Sequence, residues 1–142
     1  MAEINIRKAR TIIRKTLEKG REMDLQPLAV VVVDAGGHVI AFEREDGSPP
    51  GRFPIAQGKA YAVVMMGKGG EALHNHAEQR PQFAGALASV YHGQYIPVPG
   101  GILVRSKKGE VLGAVGVSGD TSANDAEAGL AGILSAGLLG EA

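Results

Sequence analysis

The stretch Val30–Arg44, which reads VVVVDAGGHVIAFER, holds two apolar runs separated by Asp-Ala-Gly-Gly. β-Branched residues favour the extended state, and glycine supplies the positive φ that a tight reversal needs. The stretch therefore predicts a β-hairpin with strands over 28–34 and 38–44. Asp34 lies where the first strand meets the turn. A second hairpin is predicted near the C-terminus, where residues 100–117 repeat the order of strand, turn and strand.

Helices are predicted around and between the two hairpins. Apolar residues at helical spacing predict a first helix over 4–23. Pro54 fits the first turn of a second helix that runs to residue 66, and Pro81 begins another. The polar residues 71–80 between them show no decisive periodicity.

A last helix is predicted over 123–139, and small residues recur on one face of it. The sequence places them every four residues, at Ala128, Gly132, Ala136 and Gly140. An interior glycine costs a helix about 1 kcal/mol relative to alanine. We therefore expect this face to lie tight on the sheet or on a second subunit. Ser122, with Asp125 three residues later, predicts a capping box at the start of this helix.

The sequence shows no internal repeat and no linker, so the predicted hairpins and helices indicate one α+β domain over residues 1–142. Basic and acidic residues number 15 each, so the chain offers no field that would concentrate nucleic acid or anionic lipid. The sequence has no cysteine, which excludes disulfides and thiolate metal sites. No apolar run reaches the roughly 18 residues of a membrane span, and no signal peptide is evident. We expect a cytoplasmic protein that binds neither nucleic acid nor membrane.

The pair His74 and His76 offers two imidazoles, which are common metal ligands. Residues two apart share a face on a strand but lie about 200° apart around a helix, so the pair can chelate only if this segment is extended. A closed site also needs further ligands, such as His92 or Glu78. The alternative is two histidines of a surface loop.

Four more residues allow both a structural and a functional interpretation. Asp34 either accepts backbone N–H groups in an Asx-turn or is a pocket carboxylate that orients a ligand or acts as a general base. His92 either complements the dipole at a helix end or ligates haem from a cavity. Arg44 and Lys59 flank a Gly/Pro-rich loop and either bind a carboxylate or propionate or are solvated.

Six segments occur in one order along the chain: Val32–His38, Phe42–Gly47, Ile55–Ala60, Pro97–Ile102, Gly113–Gly119 and Asn124–Asp125. As an ordered set they resemble the GlcG/HbpS-type family, to which the C-terminal domain of PduO also belongs. The resemblance implies a profilin-like antiparallel sheet of about five strands, in a single layer flanked by helices, and a homo-oligomer assembled through helices. It also implies that Asp34, Lys59, Gly100 and Gly101 line a shared pocket.

The resemblance makes the first hypothesis a small-ligand-binding protein, accessory to a catabolic or cofactor pathway, whose ligand is haem or another anionic small molecule. Its binding residues are Asp34, Arg44, Lys59, His92, Gly100 and Gly101. The second hypothesis is a small-molecule catabolic enzyme, an isomerase, hydrolase or lyase. There Asp34 or Glu78 moves a proton, Lys59 holds an anionic substrate, and His74, His76 or His92 shares the acid–base work. A purely structural or assembly role is the third.

Overall fold

The computed structural model describes residues 3–142, which form five helices and five strands. In chain order these elements are α1 Ile6–Glu22, β1 Ala29–Asp34, β2 Val39–Arg44, α2 Arg52–Met66, α3 Gly70–Gln79, α4 Pro81–Val90, β3 Gly101–Arg105, β4 Val111–Ser118, α5 Ser122–Ser135 and β5 Leu139–Glu141.

The five strands form one antiparallel sheet in the order β2-β1-β4-β3-β5. Both predicted hairpins are present, and pairing of β1 with β4 joins them into one layer. The expected α+β architecture, a single five-stranded antiparallel sheet with helices packed on it, is confirmed.

Apolar side chains fill both faces of the sheet. On one face Val30 and Val32 pack in a core with residues of α1 and α5. On the other face Val31 and Val33 pack against α2, with α3 and α4 beside it. Because β1 is covered on both sides, its apolar run is continuous rather than alternating.

The end of the chain differs from the prediction of a helix that continues to residue 139. Helix α5 ends at Ser135, and Gly137 has a φ of 80°, a left-handed conformation that reverses the chain. Residues Leu139–Glu141 then pair with β3 as the edge strand β5.

The small-residue face of α5 lies tight within the chain, on the sheet and on α1. A Cβ atom built on Gly129 would lie 2.6 Å from Ile102 Cδ1 of the sheet, and one built on Gly132 would lie 2.6 Å from the carbonyl oxygen of Ile12. Gly129 therefore lets α5 lie close to the sheet, and Gly132 lets α5 lie close to α1.

One unassigned segment proves to be helical, and one local expectation is wrong. Residues 71–80, which the sequence left unassigned, lie largely in α3, whose buried side is narrow and includes Leu73. The side chain that caps α5 is Thr121, which accepts the N–H of Asn124, and not Ser122. Asp125 accepts the N–H of Asp120 instead of completing a box with Ser122.

Residues 3–142 contain no helix that is both long enough and apolar enough to cross a membrane.

Candidate functional site

The turn between β1 and β2 holds a carboxylate beside an imidazole. Asp34 Oδ1 accepts the backbone N–H groups of Gly36 and His38, each at 2.9 Å. The same oxygen lies 3.2 Å from His38 Nδ1. Asp34 thus closes the Asx-turn that was one of its two interpretations and also contacts a titratable side chain.

Glycines of the turn allow the ring of His38 to lie close to the backbone. A Cβ atom built on Gly36 would lie 2.9 Å from His38 Cε1. Gly37 has a φ of 85°, and a Cβ atom there would lie 2.9 Å from the ring of Tyr61. The turn is therefore packed against α2 on one side and carries the imidazole on the other.

The electrostatics of Asp34 favour its charged form. Burial raises the pKa of the Asp34 carboxyl, but the N–H groups of His38 and Gly36 and the neighbouring His38 ring outweigh it. The resulting pKa lies below the ordinary value for aspartate. An ionised carboxylate only accepts hydrogen bonds, so it favours the His38 tautomer that carries its proton on Nδ1 and leaves a lone pair on Nε2.

A concavity of about 530 Å³ opens beside this pair. Its lining combines the polar residues Asp34 and His38 with apolar side chains and with Glu3; the apolar lining is Ile4, Ile40, Val111 and Leu112. Ligand sites have volumes of about 300–1,000 Å³ and few polar groups on a mainly apolar surface. The concavity has a volume within this range, and its lining is mixed, with two carboxylates and an imidazole beside the apolar side chains.

Lys59, Gly100 and Gly101 meet at the end of the sheet, but they do not form an open pocket. Lys59 Nζ donates to the carbonyl oxygen of Val117 at 2.9 Å and lies 3.3 Å from Asp125 Oδ2. A Cβ atom built on Gly100 would lie 2.9 Å from Lys59 Nζ. The glycines thus make room for the buried lysine, which connects α2 with α5.

Asp34 lies away from this cluster within one chain, so the shared pocket expected for Asp34, Lys59, Gly100 and Gly101 is not formed there. Asp34 pairs with Gly113, whereas Gly101 pairs with Gly116, three residues further along β4. The two positions are separated by about 10 Å along the strands and by about 10 Å across two strand spacings. Asp34 also lines the α1 side of the sheet, whereas Gly101 faces Lys59 on the α2 side.

The expected cations also lie apart from Asp34. Arg44, at the far end of β2, donates to the carbonyl oxygen of Ser48 at 2.6 Å. It lines a separate groove between α1 and β2, together with Arg21 and Glu45. Arg44 and Asp34 therefore do not face one ligand in a single chain.

The other histidines lie on α3 and at the end of α4. Because His74 and His76 lie on a helix, the condition for chelation by this pair is not met. His74 Nε2 lies 3.7 Å from Glu78 Oε1, and the ring of His76 packs edge-on against Phe83. His92 is exposed directly after α4, in the left-handed region with a φ of 56°. Within residues 3–142, no group of three or more His, Cys, Asp or Glu side chains could hold a metal ion.

His38 is not among the site residues predicted from the sequence. The signal was present, since Asp34 and His38 are four residues apart across a turn with two glycines. A hairpin turn brings such side chains together, and the carboxylate can then orient the imidazole. The free Nε2 can serve as a metal ligand or accept a proton.

Comparisons with known proteins agree with this fold. The model of the family described as "Haem degrading protein HbpS-like" matches residues 4–134. An uncharacterized 15.0 kDa protein from the dhaT-dhaS intergenic region of Citrobacter freundii is 28% identical over 125 residues, which cover 88% of this chain and 86% of that protein.

Solved structures share the fold at lower identity. The structure of PduOC in complex with heme has a TM-score of 0.85 and 20% identity, over 99% of this chain and 100% of that one. The structure of HbpS has a TM-score of 0.81 and 22% identity, over 94% of this chain and 90% of that one.

Proposed function

The chain belongs to the HbpS-like family of haem-degrading proteins, and from this premise we propose that it binds haem or another flat, anionic small molecule. The binding site of the proposal is the concavity beside the β1–β2 turn. The role we propose is accessory to a catabolic or cofactor pathway.

The observation that carries this proposal is the combination of size and lining in the concavity. Its volume of about 530 Å³ suits a flat molecule of macrocycle size, and the side chains of Ile4, Ile40 and Leu112 offer it apolar contacts. A structure of the same fold, that of PduOC, supports the choice of ligand, because it is a complex with heme.

The residues at this concavity fit the metal-bearing centre of haem better than its propionates. His38 offers an imidazole, a common ligand of haem iron. Glu3 and Asp34 are acidic, and the expected partners of propionates, Arg44 and Lys59, lie elsewhere. In this proposal the carboxylates of the ligand therefore point away from the concavity into solvent. If haem is bound here, it would supply an iron atom capable of redox chemistry, and His38 would be the residue that holds it.

Titration of the purified protein with hemin tests the proposal, with metal-free protoporphyrin IX in a parallel titration. We expect saturable binding of both at one molecule per chain, seen as a Soret shift for hemin and as an emission change for protoporphyrin. Substitution of Leu112, which is buried and lines the concavity, by alanine should weaken both. Unchanged spectra of both molecules at micromolar protein would refute the proposal.

A small-molecule enzyme is the second candidate, and the Asp34–His38 pair is the observation that favours it. An imidazole oriented by a carboxylate is a common general base, and it could serve an isomerase, hydrolase or lyase. The test is a panel of small hydroxy and keto acids followed by proton NMR. Turnover that is lost in both His38→Ala and Asp34→Asn would support this candidate, and no turnover across the panel would count against it.

Assembly through the helices also stays a prediction. The exposed apolar side chains of α4 are the first place to seek it, because Phe83 is 39% and Val90 60% exposed. Light scattering of the Val90→Glu variant beside the unmodified protein would measure whether this helix contributes to self-association.

A further inference from the structure

We infer that His38 ligates the metal of the bound macrocycle through Nε2 and that Asp34 is the residue that positions its ring. The inference rests on the proposed function, since it concerns the same concavity. It adds which atom would bind the metal and which neighbouring residue would orient the imidazole.

The ring of His38 is accessible to a ligand. The side chain of His38 is 82% exposed and lines the concavity, so a metal can approach its ring. The other histidines are placed differently. His74 directs Nε2 towards Glu78, and His76 packs its ring against Phe83.

The orientation of the ring is also defined. Because Nδ1 of His38 faces Asp34 Oδ1 at 3.2 Å, the nitrogen that remains available for a ligand is Nε2. Histidines that bind metals commonly donate their other N–H to a carboxylate, which sets the tautomer and raises the basicity of the ligand. The pair in this turn has that arrangement before any metal is bound.

The positioning group is rigidly held. Asp34 Oδ1 is held by two backbone N–H groups of its own turn as well as by the ring. Gly37 packs against Tyr61 and Met65 of α2, which anchors the turn to the helix layer. The carboxylate therefore needs little reorganisation to orient the imidazole, which favours ligand binding.

The chemical class of ligand follows from this arrangement. A single imidazole suits a metal that a macrocycle already holds, as in a metalloporphyrin. A bare metal ion would need more protein ligands, and within residues 3–142 no cluster of three supplies them.

The test compares hemin with metal-free protoporphyrin IX in three variants and the unmodified protein. In His38→Ala, we expect loss of the imidazole-ligated hemin spectrum with protoporphyrin binding unchanged, and partial recovery of the spectrum when free imidazole is added. Asp34→Asn can keep the backbone contacts of the turn, so the fold is retained. It should weaken hemin binding by about 10–100-fold. It should also shift the reduction potential of bound haem to more positive values, because the negative charge that stabilises the ferric state is removed.

Lys107→Ala is the control and should leave both titrations unchanged, since this exposed residue lies outside the lining of the concavity. A hemin spectrum in His38→Ala that equals that of the unmodified protein would overturn the inference and leave the proposed function standing. Absence of binding of both molecules to the unmodified protein would overturn the two together. Equal loss of hemin and protoporphyrin in His38→Ala would assign His38 to macrocycle contact and would also overturn metal ligation.

Discussion

Lys59 of α2 and Asp125 of α5 form a buried ion pair across the end of the sheet, with Nζ 3.3 Å from Oδ2. Their side chains are 5% and 1% exposed. The two helices lie on opposite faces of the sheet, so the pair connects the two layers where β3 begins and β4 ends. Burial lowers the pKa of Lys59 and raises the pKa of Asp125, and in each case the charge of the partner opposes the shift.

Lys59→Met should destabilise the fold strongly, because it leaves the Asp125 carboxylate buried without a cation. Removal of one member of a buried ion pair costs about 3–5 kcal/mol. The double variant Lys59→Met, Asp125→Asn should be more stable than Lys59→Met alone, since the unpaired charge is gone while the amide oxygen can still accept the N–H of Asp120. Urea denaturation of the single and double variants measures this coupling.

The control for these two variants is Lys68→Met, because Lys68 is exposed after α2. Its free energy of unfolding should stay within about 0.5 kcal/mol of the unmodified protein. If Lys59→Met were as mild as Lys68→Met, Lys59 could not be a structural connection between the layers, and its assignment to a ligand pocket would regain support.

Gly132→Ala should destabilise the contact between α1 and α5. The added methyl group would lie 2.6 Å from the carbonyl oxygen of Ile12 and would also collide with the hydroxyl of Thr16. Backbone atoms cannot rotate away, so the helices must separate, at a cost of about 1–3 kcal/mol. Gly85→Ala is the opposite case, because Gly85 lies inside α4 with no atom near the added carbon. That variant should gain about 0.5–1 kcal/mol. Thermal unfolding of the two variants should therefore shift in opposite directions.

Local signals explain which parts of the fold could be predicted. The valine run and the Asp-Ala-Gly-Gly turn are contiguous, so the first hairpin is evident from the sequence. Strand β5 has only three residues, and no clear signal in the sequence shows where the preceding helix ends. The strand forms because it pairs with β3, which is a tertiary contact. Such contacts routinely override weak local preferences.

The contacts of the candidate site residues also differ in whether the sequence could predict them. Asp34 and His38 are close in sequence, and their contact could have been predicted from the turn. Lys59 and Asp125 are 66 positions apart, and no local pattern shows that they meet. A lysine on an amphipathic helix is usually solvated. From the sequence, the one alternative for Lys59 is that it binds a ligand. The buried partner on α5 supplies a third role.

Asp120→Asn should change how stability depends on pH in the acid range. Asp120 accepts the N–H groups of Gln26 and Thr121 and the amide of Asn124, and these hydrogen bonds lower the pKa of its carboxyl. A carboxyl whose folded-state pKa lies below the unfolded value of 3.8 stabilises the fold above that value, and the contribution is lost as the pH falls through the folded-state pKa. The unmodified protein should therefore lose stability more steeply below pH 3.8 than Asp120→Asn does. Acid unfolding followed by circular dichroism measures the two slopes, and identical slopes would contradict the role of Asp120.

Gly36→Ala should impair ligand binding without a comparable loss of stability. The new methyl group would lie 2.9 Å from His38 Cε1 and 3.0 Å from Nδ1, so the imidazole must move off the carboxylate of Asp34. The ring is the exposed end of a flexible side chain, and it can rotate into solvent at little cost. We expect the free energy of unfolding to change by no more than about 0.5 kcal/mol. Hemin affinity should fall by about 10–100-fold, as for loss of the positioning carboxylate.

Gly51→Ala controls for the substitution itself, because Gly51 has an ordinary helical φ of −66° and no atom near the added carbon. Hemin affinity of Gly51→Ala should equal that of the unmodified protein. If Gly36→Ala also retained full affinity while His38→Ala lost it, the metal would bind the ring without help from Asp34. The carboxylate would then be a structural part of the turn alone, because a displaced but still competent imidazole needs no positioning group.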